Sequence, residues 1–420
     1  MEFIRNVDRE EYEVFVSNHP TKSHFLQSYA WGEFQVADGA SKVYYVGMKD
    51  DEGKLCATAL IIEKKPSGFK PYLYCPRGYV LDYSDREVLA TFTREITAFA
   101  KSVGAMFVTI DPDVERWEID EKGKPVEGGF DNNWLIEYLE CLGYQHCGYT
   151  MRFDGRQPRF TFRIDLNREI KAIEKSFTGN VMKNVKKSNN YASEVRKGSA
   201  EDIKILHDML TLTGERDNFT DFPLDYYQTQ YDILSKYDMA TLFIGYTYPA
   251  ETVRKLEASL EELLAQREKI KKPGPLKENM EREPKIRREI ELFKNYAEKY
   301  PDGVALSAHF VIHYGDKAWA VHAGSTLELS ETFLNNRVYH DKIIAMKERG
   351  CAILDQFGTV GDWENSDLKS LHEFKKQFGG RYVEFIGEFN LITDKKAYFM
   401  YKTIRPLYRK VLKVVRTIKK

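Results

Sequence analysis

Two pairs of apolar segments, rich in β-branched and aromatic residues, have the pattern of β-hairpins. The first pair, residues 43–48 and 55–62, is joined by a short polar turn. The second pair, residues 241–248 and 304–314, has the same strand pattern, but a long segment separates its two members. The sequence therefore predicts two hairpins, of which the second contains a large insertion.

Charged residues dominate the insertion, and its apolar residues recur every three or four positions. Of residues 251–300, 24 are charged. The spacing is typical of two helices that share an apolar seam, and Lys272-Pro-Gly-Pro275 between them is a strong turn signal. We expect an antiparallel helical hairpin over residues 250–301, in which Pro284 kinks the second helix or starts its ordered part. Such a segment fits a solvated spacer as well as a binding arm.

The same succession of predicted elements follows each hairpin. In the first half, a helix over residues 86–103 precedes a strand over 105–111 that ends in an aspartate. In the second half, a helix over residues 335–349 precedes a strand over 351–355, which also ends in an aspartate. Another helix and an apolar, aromatic strand come next in both halves. We infer an α/β (α+β) protein built from two copies of one unit.

Length and composition exclude several classes of protein. The chain has 420 residues, of which 42% are hydrophobic, and a formal charge of −1, so it is a globular chain of two to three domains. Its five cysteines include no CxxC pair, which argues against a disulfide framework and a zinc knuckle. No apolar stretch approaches the ~18 residues of a membrane span. We expect a cytoplasmic protein.

Motifs for common catalytic and cofactor sites are absent from the sequence. It contains no GxSxG, no GxGxxG after a strand and no GxxxxGK[ST]. His309 and His313 share one face of a predicted strand, but no acidic ligand lies near them, which favours a packing role over metal binding. The sequence thus indicates no metal and no cofactor.

Basic residues cluster in two segments that contain no acidic residue. Residues 175–187 include four lysines, and residues 402–420 include eight basic residues. In the second segment, the apolar and the basic residues form two stripes of one predicted helix. Both clusters fit a phosphate-rich partner, nucleic acid or anionic lipid, as well as a docked helix with a solvated basic face.

Seven short motifs occur in a fixed order along the chain. They are Ser23–Gln27 (SHFLQ), Pro76–Asp82 (PRGYVLD), Ile110–Pro112 (IDP), Lys183–Lys187 (KNVKK), His322–Ser325 (HAGS), Phe374–Phe378 (FKKQF) and Tyr382–Glu388 (YVEFIGE). With the charged hairpin, these motifs make the sequence resemble the FemABX aminoacyl-tRNA-dependent peptidyltransferases over nearly its whole length. The resemblance implies two N-acetyltransferase-like (GNAT) subdomains with an inserted coiled-coil arm. We expect the following division: residues 1–155, residues 156–249 with 302–400, the arm over 250–301 and a basic C-terminal helix over 401–420.

The resemblance also implies an aminoacyltransferase that builds the interpeptide bridge of peptidoglycan. Such an enzyme moves Gly, Ala or Ser from aminoacyl-tRNA to the stem peptide amine of a precursor, lipid II or UDP-MurNAc-pentapeptide. Its implied partners are the charged tRNA, the precursor, the inner surface of the membrane and related enzymes in a homo- or hetero-oligomer. Lys183, Lys186 and Lys187 would then bind tRNA.

The family motifs imply roles for individual residues. Phe374 and Lys375 correspond to a pair at the acceptor end of the tRNA, where Lys375 supplies a fixed positive charge. Tyr226 and Asp111 correspond to residues of the precursor site, where Asp111 holds the attacking amine and is a candidate proton acceptor. Because the ester is already activated, transfer needs positioning and charge stabilisation rather than a nucleophilic Ser or Cys. We expect Lys375→Met to slow transfer roughly 10²-fold and to leave folding intact.

The sequence departs from the family at positions that bind phosphate. Gln35 stands where family members often have a lysine, and Phe222 stands where one subgroup has an arginine. Arg216 and Arg77 are the candidate substitutes, and His322 replaces a tyrosine of the precursor site.

Two other functions fit the same residues. An acyl-CoA-dependent N-acyltransferase has the same subdomain fold, but the Arg/Gln-x-x-Gly-x-Gly/Ala loop that binds the CoA pyrophosphate is not evident. A non-enzymatic coiled-coil adaptor would lose its function if residues 251–300 were deleted, whereas an enzyme would not necessarily lose turnover.

Overall fold

Two eight-stranded sheets organise the protein, and the computed structural model describes residues 1–217 and 219–404. The helices are α1 (Arg9–Ser17), α2 (Tyr29–Ala37), α3 (Arg86–Ser102), α4 (Asn133–Cys141), α5 (Ile170–Lys175), α6 (Val181–Ser188), α7 (Ile203–Asp217), α8 (Leu224–Leu234), α9 (Pro249–Arg267), α10 (Pro273–Lys299), α11 (Leu334–Glu348) and α12 (Lys369–Lys376). The strands are β1 (Glu2–Ile4), β2 (Lys42–Lys49), β3 (Leu55–Lys64), β4 (Tyr72–Cys75), β5 (Val80–Leu81), β6 (Phe107–Ile110), β7 (Glu115–Glu118), β8 (Tyr144–His146), β9 (Phe160–Asp165), β10 (Ser193–Gly198), β11 (Ala240–Thr247), β12 (Val304–Tyr314), β13 (Lys317–Ser325), β14 (Ile353–Asp355), β15 (Arg381–Phe385) and β16 (Phe389–Ile392).

The first five strands in each of the two sheet orders repeat one topology. The first sheet has the order β1-β2-β3-β4-β6-β16-β8, with β5 beside β3, and β4 and β6 are parallel. The second has the order β10-β11-β12-β13-β14-β9-β15-β7, and β13 and β14 are parallel. A parallel pair needs a crossover connection, which contains the helix α3 in the first half and α11 in the second. The predicted mixed α/β architecture is therefore confirmed, and it contains two sheets.

Each sheet includes one strand from the other half of the chain. Strand β16 lies between β6 and β8 in the first sheet, although it follows the whole second half in sequence. Strand β7 forms an edge of the second sheet through its pairing with β15. The sequence pattern did not predict this exchange of strands. The subdomain boundaries and the likeness of each half to an N-acetyltransferase stay predictions.

The predicted helical hairpin forms between β11 and β12. Its two helices, α9 and α10, bury apolar residues against each other and against the second half of the chain: Leu256, Leu260, Leu263, Ile290 and Phe293. Asn279 Nδ2 donates a hydrogen bond to the carbonyl oxygen of Leu263 at 2.9 Å, and Arg267 forms an ion pair with Glu283 at 2.7 Å. These contacts pair the end of α9 with the first half of α10, as an antiparallel hairpin requires. Coiled-coil packing in the strict sense stays a prediction.

Prolines mark where the two arm helices begin. Pro249 and Pro273 each occupy the first turn, where a missing backbone N–H costs nothing and the fixed φ favours helix. Pro284 lies inside α10, which continues through it. The ordered part of the second helix therefore starts well before Pro284.

The C-terminal segment is helical over residues 395–404. Tyr401 is buried against the first sheet, with its ring centroid 5.4 Å from that of Phe69 and 5.8 Å from that of Tyr72. The rest of the predicted basic helix, residues 405–420, lies outside the described residues. Among the helices that the structure describes, none is both long and apolar enough to cross a membrane.

Candidate functional site

Helix α12 presents the FKKQF motif to a cavity of about 320 Å³ in the second half of the chain. We call it the lysine cavity, because Lys375 and Phe374 from α12 line it. Helices α7 and α11 and strands β12 and β13 form its other walls, and Arg216 lies at the α7 side. The structure thus brings together three of the residues that the sequence singled out.

The Lys375 ammonium is held by three successive backbone carbonyls. Its Nζ donates to the oxygens of Gln356, Phe357 and Gly358 at 2.8, 2.6 and 2.6 Å. The carbonyls converge because Phe357 has a φ of +48° and Gly358 a φ of +77°, a left-handed turn that is unusual for phenylalanine. An ammonium has three N–H donors, so this arrangement uses all of them. Lys375 therefore offers the cavity a fixed positive charge and no free donor.

Burial disfavours the charged form of Lys375. It lowers the pKa of Lys375 to about 8, while the nearby Asp355 carboxylate acts in the opposite direction. Asp355 ends β14, and its Oδ1 accepts a hydrogen bond from the backbone N–H of Phe357 at 2.9 Å. The same carboxylate thus fixes the loop that binds Lys375 and favours its charged form.

Phe374 and Arg216 give the cavity an apolar side and a cationic rim. The Phe374 ring packs edge-on against Tyr339, with the centroids 5.2 Å apart. Arg216 is exposed, pairs with the neighbouring Asp217 and donates to the carbonyl oxygen of Ser325 at 3.3 Å. The cavity can therefore accept a flat group against Phe374 and an anionic group near Arg216.

Two further polar residues line the lysine cavity, and the sequence analysis assigned neither of them to the site. His309 from β12 and Asn335 from α11 both border it, and His309 Nε2 lies 3.0 Å from Asn335 Oδ1. His309 is buried, as a packing role requires, but it belongs to a hydrogen-bonded cluster. No motif marks Asn335, and the two residues meet only because α11 packs on the second sheet.

Asp111 lies in a different cavity, of about 340 Å³, at the end of β6. We call it the aspartate cavity. Tyr74 OH donates to Asp111 Oδ2 at 2.7 Å, and the backbone N–H of Arg77 donates to Oδ1 at 2.6 Å. Burial raises the pKa of Asp111 to about 6, and the Arg77 guanidinium acts in the opposite direction. Such a carboxyl group titrates near neutral pH, which suits a group that binds or accepts protons.

Arginines surround Asp111. The Arg77 guanidinium is buried, donates to the carbonyl oxygen of Pro158 at 2.6 Å and stacks 4.1 Å above the Phe385 ring. Arg156, which sequence reasoning missed, lines the same cavity and is more exposed. Arg77 is therefore committed to internal contacts, whereas Arg156, which lies 3.8 Å from the Glu388 carboxylate, is the more accessible of the two to a ligand.

The two cavities share no lining residue. A third, very small internal space is lined by Arg77, which also lines the aspartate cavity, and by Phe357 and Gly358, whose carbonyl oxygens hold Lys375. The structure consequently does not bring Asp111 and Lys375 into one cavity. Their joint action on a single amine and ester stays a prediction.

Tyr226, Gln35 and His322 line neither cavity. The Tyr226 ring stacks 4.2 Å from that of Phe222, and burial raises the Tyr226 pKa above its ordinary value. His322 Nε2 lies 3.0 Å from Gln230 Oε1, and burial lowers the His322 pKa to about 4, so its ring is neutral near pH 7.

Gln35 has a lysine beside it that the sequence did not indicate. Lys64 Nζ donates to Gln35 Oε1 at 3.1 Å. Burial lowers the pKa of Lys64, and the Asp38 carboxylate acts in the opposite direction. Lys64 pairs with Tyr72 across β3 and β4, and the Arg156 guanidinium lies 4.9 Å from the centre of the Tyr72 ring. Both cations therefore lie beside Tyr72.

The three lysines of the KNVKK motif lie on one exposed face of α6. Lys183, Lys186 and Lys187 are all exposed, whereas Val181 and Val185 are buried. Helix α6 packs on α11, a wall of the lysine cavity. The loop before α6 is joined to the end of α12 by a hydrogen bond from Thr178 N to Gln377 O at 2.9 Å. The basic face thus belongs to the same structural unit as Lys375.

Comparisons with known proteins agree on one family. The chain is 26% identical to the lipid II:glycine glycyltransferase of Staphylococcus haemolyticus over 430 residues, and 26% identical to that of Staphylococcus aureus over 434 residues; each alignment covers 99% of both chains. Among solved structures, the crystal structure of FemX superposes with a TM-score of 0.79 at 25% identity, over 95% of this chain and 99% of that one. The profile of the FemAB family matches residues 7–405. The chain therefore belongs to the FemAB family.

Proposed function

We propose that this protein transfers glycine from glycyl-tRNA to the stem peptide amine of lipid II and so builds a peptidoglycan interpeptide bridge. The observation that carries the proposal is its end-to-end similarity to relatives named lipid II:glycine glycyltransferase. Those names support a transferase that acts on a peptidoglycan precursor, and glycine rather than Ala or Ser. The use of charged tRNA as the donor rests on the family resemblance, and the exposed basic face of α6 supports it.

The second half of the chain suits the charged tRNA. The acid-free face of Lys183, Lys186 and Lys187 offers exposed positive charge for backbone phosphates, and α11 connects it with the lysine cavity. Within that cavity, Phe374 can stack on the terminal base or ribose, and Lys375 places a positive charge beside the ester. In this proposal, residues 156–249 and 302–400 form the donor subdomain, and the coiled-coil arm extends from it.

The first half suits the precursor. Asp111 can hold the attacking ammonium, and Arg156 and Lys64 provide cations for the precursor diphosphate where Gln35 replaces a lysine. The GNAT-like subdomain over residues 1–155, with the Tyr226 aromatic cluster beside it, would then be the acceptor subdomain. The basic tail from residue 401 could hold this half near an anionic membrane surface.

The reaction requires no covalent enzyme intermediate. The uncharged amine nitrogen forms a bond to the ester carbonyl carbon, and the carbonyl π electrons move onto the oxygen. When the carbonyl re-forms, the bond to the tRNA ribose oxygen breaks, and the proton lost by nitrogen ends on that oxygen. Asp111 first holds the amine in its charged form and then accepts the proton that the amine loses before it attacks. Lys375 stabilises negative charge on the ester oxygens through its fixed ammonium.

The test is a donor panel with one acceptor. Purified protein is incubated with lipid II and, separately, with glycyl-, alanyl- and seryl-tRNA and with acetyl- and glycyl-CoA, and the product is identified by mass. We expect transfer from glycyl-tRNA and none from either thioester. Transfer from a thioester but not from charged tRNA would overturn the proposal in favour of an acyl-CoA-dependent enzyme.

A further inference from the structure

The lysine cavity contains a polar cluster for which the proposed reaction has so far no use. Ser307 and His309 on β12 and Lys342 on α11 are each at most 1% exposed. Asn335, near the start of α11, is half-buried and lines the cavity. Ser307 and Lys342 are thus sealed behind the cavity wall, whereas His309 and the more exposed Asn335 border the space where the ester would lie.

Hydrogen bonds within the cluster fix the orientation of the Asn335 amide. Ser307 Oγ donates to Asn335 Oδ1 at 2.7 Å, and His309 Nε2 lies 3.0 Å from the same oxygen. Lys342 Nζ lies 3.3 Å from His309 Nδ1. An N–H donated by Lys342 to Nδ1 keeps the ring proton on Nε2, from which it is donated to Asn335. With its oxygen held by two donors, Asn335 turns its Nδ2 away from the cluster.

The charge states of the buried members agree with this arrangement. Burial, together with the Lys342 charge, lowers the pKa of His309 well below its ordinary value, so the imidazole is neutral and has one N–H. Burial and the charge of Lys375 likewise lower the pKa of Lys342, but an amine has N–H donors in either state. Lys342 Nζ also lies 3.4 Å from the centre of the Tyr339 ring. Within residues 1–217 and 219–404, no hydrogen bond engages Asn335 Nδ2.

We propose, on the basis of the proposed function, that Asn335 is a catalytic residue whose Nδ2 donates to the carbonyl oxygen of the aminoacyl ester and stabilises the oxyanion. Lys375 supplies charge to the same cavity, but its three N–H donors are already used by carbonyl oxygens. A rigid, free donor is what the oxyanion needs in addition to that charge. Ser307, His309 and Lys342 are positioning residues that hold the donor in place.

The test compares Asn335→Ala and Asn335→Asp with Asn336→Ala, a neighbour on α11 that does not line the cavity. Steady-state kinetics with glycyl-tRNA and lipid II should show kcat lower by about 10²-fold in both Asn335 variants, with KM for glycyl-tRNA within about twofold of wild type. The Asp variant keeps the volume and the acceptor oxygen, so it serves as the readout if Asn335→Ala does not fold. Asn336→Ala should keep the wild-type kcat.

The positioning roles are tested by combining substitutions. Lys342→Met should lower kcat and leave KM unchanged, and in the Asn335→Ala background it should lower kcat no further, because it acts through that amide. A kcat of Asn335→Asp equal to that of wild type would overturn the inference while the proposed function stands. Additive losses would overturn the positioning role of Lys342. Absence of transfer by the wild-type protein would overturn the proposed function, and the inference with it.

Discussion

Replacement of Lys375 by methionine tests both its charge and its structural contacts. The substitution keeps the length of the side chain but removes the ammonium that binds the carbonyls of Gln356, Phe357 and Gly358. Each of the three carbonyl oxygens left unpaired costs about 1 to 3 kcal/mol, and relief from the cost of burying a charge offsets part of that sum. We therefore expect the free energy of unfolding to fall by about 2 to 4 kcal/mol, which revises the expectation from sequence alone that the substitution leaves folding intact.

The assay measures urea unfolding and transfer kinetics on the same preparations. Lys376→Met is the matched control, because Lys376 adjoins Lys375 on α12 and its Nζ lies 3.1 Å from the exposed carboxylate of Glu121 and 5.9 Å from the centre of the Trp363 ring. An exposed pair of this kind contributes less than about 1 kcal/mol. Under conditions where it is folded, Lys375→Met should also lower kcat by roughly 10²-fold. If Lys375→Met has the free energy of unfolding and the kcat of the wild-type protein, the roles assigned to Lys375 are refuted.

Three further predictions concern other parts of the molecule. The pKa of Asp111 is about 6 in the folded protein, against an ordinary value of 3.8, so the free energy of unfolding should decrease between those pH values while the rate of transfer increases. Asp111→Asn should remove both pH dependences, and a variant with the wild-type pH profile would contradict this prediction. Replacement of Lys183, Lys186 and Lys187 by Gln should weaken the salt dependence of tRNA binding: the slope of log K against log salt concentration should fall by about 0.7 to 0.9 per lost phosphate contact. An unaltered slope would show that this face does not bind tRNA. Deletion of residues 407–420, outside the described part of the chain, should lower sedimentation of the protein with anionic vesicles and transfer to lipid II, but leave transfer to a soluble precursor analogue unchanged. An equal loss of transfer to both acceptors would contradict membrane contact.

Hydrophobic periodicity and turn residues predicted the individual helices and strands, because interactions between neighbouring residues largely determine these elements. The helix expected over residues 86–103 spans Arg86–Ser102, and the strand expected over residues 304–314 spans Val304–Tyr314. Periodicity and turn residues act within a few positions of the chain, so they also located the arm between two halves of one hairpin. The partnership of β16 with β6 is different, because it joins residues almost 300 positions apart in sequence and no periodic pattern records it.

The candidate site was predictable only where a motif marked it. FKKQF identified Phe374 and Lys375, but the convergence of three carbonyls on Lys375 depends on the left-handed turn at Phe357. His309 was expected to pack, and its link to Asn335 and Lys342 follows from how α11 lies on the second sheet. Side-chain clusters of this kind depend on tertiary packing, which the order of residues along the chain does not reveal.

The most direct test follows labelled glycine from glycyl-tRNA into lipid II and compares the wild-type protein with a variant in which a large side chain fills the lysine cavity. Ala323 is exposed at the cavity wall, so Ala323→Trp should fill the space without disturbing the core, and Val14→Trp, on exposed α1, is the control for a surface tryptophan. We expect the wild-type protein and Val14→Trp to move the label into lipid II and Ala323→Trp to fail. No label in lipid II with the wild-type protein, or equal transfer by a folded Ala323→Trp, would contradict the central claim that this cavity holds the reacting end of the charged tRNA.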